Sequence, residues 1–279
     1  MPSRPDPERS AAKPAFGQDY LDWLDTSWEG DTRELREGRF LHQQADLRQA
    51  FEASAYWREV GSRLAPWARR FEERTDAQLF QGQPSLPSLH SKPWSSFLSR
   101  TWRENVNNNR NWPDPPAGGW WLPDNWLERA WDVIRTRFVV RYLDARQALA
   151  EDLVKCAQDK RFRLEAELEE RATESGYYAL HVRIQQSFST PALYYEGMVG
   201  RRSGIEIQVT TELAEVISHL THAHYEARRE STERRGSGQW NYYSDEFTST
   251  FLGHELFALE GRVMALRQSM REGSPDGRR

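Results

Sequence analysis

Four stretches from Trp131 onward carry strand character and stand among helical stretches, which restricts the fold more than any other feature. Trp131 to Tyr142 (WDVIRTRFVVRY) is rich in β-branched and aromatic residues, and Tyr177 to Gln185 (YYALHVRIQ) alternates with a period of two. Ala192 to Val199 and Ile205 to Thr210 (IEIQVT) are two further strand candidates. Asp144 to Ala157 reads as a helix between the first and second strands, and Leu213 to Arg229 as a helix after the last. The order is helices, then the four strand candidates with one helix after the first and one after the last, and a closing helix. That is an α+β protein: a small mixed sheet flanked by helices, with helical extensions at both ends.

The first third has helical spacing from Gln18 to about Phe80. Tyr20, Trp23 and Leu24 form one apolar set, and Leu47, Phe51, Tyr56 and Val60 another. Gln81 to Pro87 (QGQPSLP) breaks the pattern as a linker. Lys92 to Trp102 is helical, with Pro93 near its start, where a missing N–H costs least. Asn105 to Pro123 (NVNNNRNWPDPPAGGWWLP) has the Asn, Pro and Gly content of a long irregular loop. Arg161 to Arg171 is densely charged and reads as an exposed helix or loop, Arg234 to Gly238 as a hinge, and Phe247 to Met270 as a long amphipathic helix. The expected organisation is a mobile N-terminus (1–15), a helical N-terminal region (16–85), a core (86–230), a C-terminal helical region (231–270) and a mobile tail (271–279).

Composition narrows the function. The 279 residues include 12 Trp, 10 Tyr and 12 Phe, more aromatic side chains than a disordered chain carries, although the mean hydropathy of −0.86 is polar. A net charge of −4 argues against a generally basic nucleic-acid binder and leaves room for a local basic patch. Cys156 is the only cysteine, so neither a disulfide framework nor a cysteine-based zinc site exists, as suits a reducing, cytoplasmic setting. There is no 18-residue apolar run and no apolar leader, so neither a membrane partner nor a secretory signal is expected. The Walker-type phosphate loop, GxGxxG, HExxH and GxSxG are all missing.

What remains are isolated polar residues on strands. Asp132 at the start of the first strand is either a turn cap or a Mg²⁺ ligand at a sheet edge, with Arg137 nearby. Glu206 alternates with Ile205 and Ile207 and shares a face with Gln208; it is a solvent-facing glutamate, a second metal ligand or a general base. Tyr177 and His181 are four apart and share a face, for packing or for stacking on a base. Of His219, His222 and His224 only the first two share a helix face, too few for a zinc site. Arg228, Arg229, Arg234 and Arg235 are a solvated cluster or a phosphate-tracking patch.

Taken in order, these residues resemble the synthetase domain of the RelA/SpoT alarmone synthetases, in four blocks from about Ser91 to Tyr225. Lys92-Pro-Trp-Ser-Ser96-Phe-Leu-Ser-Arg100 is similar to a family segment, Lys-Ser-x-x-Ser-Ile-x-x-Lys, whose cations hold ATP phosphates. Asp132-Val-Ile-Arg-Thr-Arg137, followed by Tyr142-Leu-Asp144, resembles the strand whose Asp binds Mg²⁺ and whose Arg stacks on adenine. Gly176-Tyr177-Tyr-Ala-Leu-His181 matches Gly-Tyr-x-Ser-x-His, whose Tyr stacks on the acceptor's guanine. Glu206-Ile-Gln208-Val-Thr-Thr211 is similar to Glu-Ile-Gln-Ile-Arg-Thr, whose Glu is base and metal partner. His222 falls where the family has a Glu-His pair. The fold implied is the nucleotidyltransferase-like synthetase fold.

The resemblance implies a Mg²⁺-dependent pyrophosphokinase that uses ATP and GTP or GDP. Catalytic and metal-binding roles go to Asp132 and Glu206. ATP contacts go to His90, Lys92, Ser96, Arg100 and Arg137, and acceptor contacts to Tyr177, His181 and Gln208. Three positions depart from the family: His90 replaces an Arg, Thr210 replaces the Arg of the last block, and Glu215 puts a carboxylate near the acceptor, where it would repel a 5′ polyphosphate. The stand-alone length resembles the small synthetases, some of which are toxins, with antitoxin partners, that modify tRNA 3′ ends or use adenosine nucleotides. Two other readings are a non-catalytic nucleotide sensor and a helical interaction protein.

Overall fold

The computed structural model describes residues 12–27, 36–123, 125–191, 198–219 and 242–273. Helices α1 (Gln18–Ser27), α2 (Arg36–Glu52) and α3 (Ala55–Thr75) come first, as the spacing predicts. The apolar set of Leu47, Phe51, Tyr56 and Val60 is divided between two helices, because α2 ends in a turn closed by Ser54 N–H on Phe51 O. Strand β1 (His90–Ser91) then precedes α4 (Trp94–Trp102), which runs into a π-helical turn over Arg103–Asn107 and, later, the short α5 (Trp126–Arg129). Strand β2 (Ile134–Val140), helix α6 (Leu143–Gln158) and strands β3 (Glu165–Ala172), β4 (Tyr178–Pro191) and β5 (Met198–Thr211) follow. The chain ends in α7 over residues 212–219 and α8 (Asp245–Glu272).

The strands form one five-stranded mixed sheet in the order β1-β2-β5-β4-β3. β1 pairs antiparallel with β2, His90 opposite Arg135 and Ser91 opposite Ile134. β2 alternates as its sequence requires: Ile134, Thr136, Phe138 and Val140 are buried, while Arg135, Arg137 and Val139 are half-buried. β5 is a central strand buried on both faces, so Glu206, Gln208 and Thr210 are as enclosed as Ile205, Ile207 and Val209. This corrects the reading of Glu206 as solvent-facing.

Three further differences have physical causes. Arg161 to Arg171 is not a helix or free loop: most of it is β3, at the sheet edge. Its glutamates pair with β4, Arg183 meeting Glu167 at 3.2 Å, and a charged edge resists pairing with other chains. The first strand candidate is shorter than its sequence, and Trp131 to Val133 form a turn, so Asp132 precedes β2 instead of lying on it. The loop from Asn105 opens inside the π-helical turn. Buried Asn105 holds it by donating to Tyr20 Oη and Trp121 O (both 2.9 Å) and accepting from Trp121 N–H. The His222 and Arg228 to Arg235 assignments, the hinge and most of the 192–199 strand lie outside the described residues.

Two compact units emerge, each drawn from three stretches. The first comprises Met1–Ser54, Leu89–Arg135 and Gln185–Glu206. Its core is aromatic: Phe40 of α2 stacks on Phe97 of α4 at 4.3 Å, and Trp126 meets Phe97 edge-on at 5.3 Å. Such pairs contribute about 0.5–1.5 kcal/mol beyond their burial. The second comprises Ala55–Ser88, Thr136–Ile184 and Ile207–Arg279. There Tyr56, Val60, Leu64, Trp67 and Phe71 form the buried stripe of α3, and Ala145, Leu149, Leu153 and Cys156 that of α6.

Candidate functional site

In the first unit, the local fold brings Lys92, Arg100 and Asp132 together. Lys92 lies between β1 and α4, and its main chain is tied down from both sides. Its N–H donates to Val133 O at 3.0 Å, and buried Gln44 of α2 donates its amide to Lys92 O (2.9 Å) and Val133 O (3.1 Å). The Lys92 ammonium then reaches one carboxylate oxygen of Asp132, and Arg100 Nη1 the other at 2.6 Å. Arg100 sits in the last turn of α4, whose start follows Lys92 directly, and its guanidinium meets the same carboxylate.

Burial alone would raise the Asp132 carboxyl, but the Lys92 and Arg100 charges outweigh it and hold it below the ordinary aspartate range. Burial lowers the Lys92 ammonium, and Asp132 opposes that shift. The Arg100 guanidinium lies 5.2 Å from the centre of the Trp121 ring, and that of Arg129 lies 5.0 Å from it. Arg129 also donates to Gly119 O and Trp120 O, both at 2.7 Å, which fixes the loop that presents Trp121. Neither Trp121 nor Arg129 is readable as a site residue from sequence; the Trp-Trp pair after Gly119 is the only local signal.

Glu206 lies in β5, next to β2 in the sheet, and is buried beside Gly204, where Trp131 packs against the bare backbone. A Cβ at Gly204 would come within 2.5 Å of the Trp131 ring. Ser96 is half-buried in the first turn of α4 and His90 is exposed on β1. Among the described residues, no group of three or more His, Cys, Asp or Glu side chains is arranged to hold a metal. The donors that the resemblance assigns are two carboxylates, half-buried Asp132 and buried Glu206. That set fits Mg²⁺, which takes one or two carboxylates and completes its shell with substrate phosphates and water.

In the second unit Arg137 is engaged on both edges. Its Nε and Nη2 donate to Gln208 Oε1 at 3.0 and 2.9 Å, and its Nη1 to Glu215 Oε2 at 2.6 Å. The other Glu215 oxygen lies 3.0 Å from His219 Nε2 on α7. The Glu215 charge, set by the sequence against an acceptor's polyphosphate, is thus compensated by Arg137. Thr211 ends β5 and caps α7, its hydroxyl accepting from Ala214 N–H at 3.2 Å.

Tyr177 and His181 share a face, as their spacing predicts. Tyr177 Oη is 3.0 Å from His181 Nε2 and the rings meet edge-on, with His181 buried and Tyr177 half-exposed. Tyr177 stands just before β4, in a turn made by Gly176 at φ +75°. A Cβ there would strike Thr250 O of α8 at 2.4 Å, so this glycine serves both the turn and the helix packed on it.

No protein-family model and no curated protein sequence matches the chain. Solved structures do. The small alarmone synthetase 1 from Bacillus subtilis superposes with a TM-score of 0.53 at 15% identity, over 84% of this chain and 99% of that one. The same protein bound to its product pppGpp gives 0.52 at 15% identity, over 84% and 100%. A GTP pyrophosphokinase family protein from Streptococcus pneumoniae gives 0.51 at 14% identity, over 87% and 97%. The chain therefore has the RelA/SpoT-type synthetase fold of the small alarmone synthetases.

Proposed function

We propose that the chain is a Mg²⁺-dependent pyrophosphotransferase that moves the β,γ-pyrophosphate of ATP to the 3′-hydroxyl of a guanosine nucleotide. The observation that carries this reading is the shared Asp132 carboxylate, gripped by Lys92 and Arg100. Two cations and a carboxylate held in one place suit a metal-bound triphosphate: the cations take phosphate oxygens and the carboxylate takes the metal. Asp132 and Glu206 would hold Mg²⁺, which when bound neutralises phosphate charge. Lys92 and Arg100 grip the triphosphate, with Ser96 in the first turn of the same helix.

The acceptor's 3′-oxygen forms a bond to the β-phosphorus as the bond from that phosphorus to the α,β-bridging oxygen breaks, and AMP leaves with that electron pair. The hydroxyl proton passes to a Glu206 carboxylate oxygen. Burial suits Glu206 to this task, because a base shielded from water is not levelled by it.

In the second unit Arg137 is the candidate for stacking on adenine. Tyr177 is the candidate for stacking on the acceptor base, and His181 and Gln208 for its ribose or phosphate. The pppGpp carried by the Bacillus subtilis protein supports the guanosine acceptor. So does the compensation of Glu215 by Arg137, which removes the sequence-based objection to a polyphosphate.

The test is incubation with γ-labelled ATP and, separately, GTP, GDP, ATP or bulk tRNA. Label in a guanosine tetra- or pentaphosphate is the expected result. Label in tRNA or in an adenosine product overturns the guanosine assignment and favours a toxin-type enzyme, with an antitoxin to be sought. Analogue binding without transfer to any acceptor returns the protein to a non-catalytic sensor.

A further inference from the structure

Asn105 to Pro123 does more than present Trp121. Its first part walls an open cleft of about 760 Å³, lined by Lys13, Asn107, Asn108, Asn109, Arg110 and Trp112, all in the first unit. That volume is within the range of small-molecule sites, about 300–1,000 Å³. None of these residues belongs to the Lys92, Arg100 and Asp132 cluster, and none falls in the four blocks that resemble the synthetase family.

The walls are fixed by contacts within the chain. Buried Asn109 uses its whole side chain on the loop: Nδ2 donates to Asn105 O at 3.0 Å and to Asp114 O at 2.8 Å, and Oδ1 accepts from Asn111 N–H at 2.9 Å. Lys13 Nζ donates to Asn107 O at 3.3 Å and Asn109 O at 3.0 Å, which fastens the segment before α1 to the loop. The Trp112 ring is backed by two other indoles, Trp23 at 5.7 Å and Trp120 at 6.0 Å. Walls set in advance spare a ligand the cost of ordering them.

The lining has two cations and no carboxylate; Asp114, the loop's one acidic residue, is not part of it. Among the described residues neither Lys13 nor exposed Arg110 forms an ion pair. A guanidinium can take two phosphate oxygens at once, and the Lys13 ammonium keeps a third N–H beyond its two carbonyls. Asn107 Nδ2 donates to Asn108 Oδ1 at 3.4 Å, which leaves Asn107 Oδ1 as an acceptor beside Asn108 Nδ2 as a donor. We propose that this cleft binds a sugar phosphate, free or as part of a nucleotide. Arg110 and Lys13 take the phosphate, Asn107 and Asn108 the hydroxyls, and Trp112 the flat face of the ring.

Calorimetric titration of the full chain with glucose 6-phosphate, UMP and inorganic phosphate tests this. UMP carries neither the adenine of the donor nor the guanine of the acceptor, so it does not report on the reaction site. At least one of the two esters should bind ten-fold or more tightly than inorganic phosphate. Equal affinity for both esters would mean that the sugar alone is recognised, and a preference for UMP that the base lies on Trp112. Arg110→Ala alters an exposed side chain and should weaken the ester about ten- to a hundred-fold. Trp112→Ala should weaken it at least five-fold, and Arg100→Ala less than two-fold. The proposal is overturned if neither ester binds, if inorganic phosphate binds as tightly, if Arg110→Ala changes nothing, or if Arg100→Ala costs as much as Arg110→Ala. Because binding is what is read, an absence of pyrophosphate transfer leaves the result standing.

Discussion

Arg137 Nη1 lies 2.6 Å from Glu215 Oε2, so the arginine expected to meet adenine is held by a carboxylate 78 residues further along the chain. The pair is partly exposed, at 33% and 21% of the side chains. Ion pairs of that kind contribute about 0.2–1 kcal/mol.

Releasing Arg137 should therefore strengthen ATP binding modestly. Glu215→Gln is expected to lower the Kd of a non-hydrolysable ATP analogue by about two- to five-fold, the equivalent of that energy. Calorimetric titration checks it, and weaker binding in the variant would remove Arg137 from the adenine site.

Asp132→Asn should abolish transfer and also destabilise the protein, because it leaves the buried Lys92 ammonium without its carboxylate. Breaking one partner of a buried pair costs about 3–5 kcal/mol. Lys92→Met in the same chain should recover part of that stability and none of the activity. Denaturant melts beside turnover assays separate the two effects; full stability of Asp132→Asn would show that the pairing contributes nothing.

Trp121 should act through Arg100. Trp121→Leu removes the ring that faces the guanidinium and is expected to raise the ATP KM about three- to thirty-fold, from a cation–π contact of about 0.5–2 kcal/mol. Arg100→Ala should cost at least as much, and in the Arg100→Ala background the Trp121 change should lose most of its effect. Additive effects of the two would mean that Trp121 serves only the core.

Tyr177→Phe and Tyr177→Ala divide the acceptor role into two parts. Phe keeps the ring and loses the contact to His181, so stacking predicts that it retains most acceptor affinity. Ala should raise the acceptor KM by about five- to a hundred-fold, from about 1–3 kcal/mol of base stacking, while leaving ATP binding unchanged. Equal loss in both variants would assign Tyr177 to orienting His181.

Glu260 carries a pH dependence of stability. Burial raises its carboxyl above the ordinary glutamate value, against the pull of Thr211 and Arg146. A raised folded value means that the group's contribution is complete below about pH 4.3 and is lost as pH rises through the raised value. Glu260→Gln should therefore raise Tm at pH 7 relative to the parent chain, and the gap should shrink as pH falls toward 4. A gap that widens on acidification would contradict the assignment.

Local chemistry made much of this protein legible in its residues. The stripes of α3 and α6, the alternation of β2 and the burial of Ile205, Ile207 and Val209 on one face of β5 follow from helical and strand periods; the burial of its other face does not. The convergence of Lys92 and Arg100 on Asp132 does not either, because Lys92 stands outside α4 and is placed by its ties to Val133 and Gln44. β3 was not read from the sequence, although Glu165-Ala166-Glu167-Leu168-Glu169 alternates, because its charge density masks that short pattern and Arg183 on the neighbouring strand is what pairs its glutamates. The Arg137–Glu215 pair, the Trp121 ring beside Arg100 and the face by which α8 docks were decided by tertiary structure alone. A period says which side chains share a face, but not what that face meets. For α8 that choice fell to two glycines, Gly176 and Gly253, whose bare backbones let the helix dock on one stripe and leave side chains such as Leu259 and Leu266 exposed.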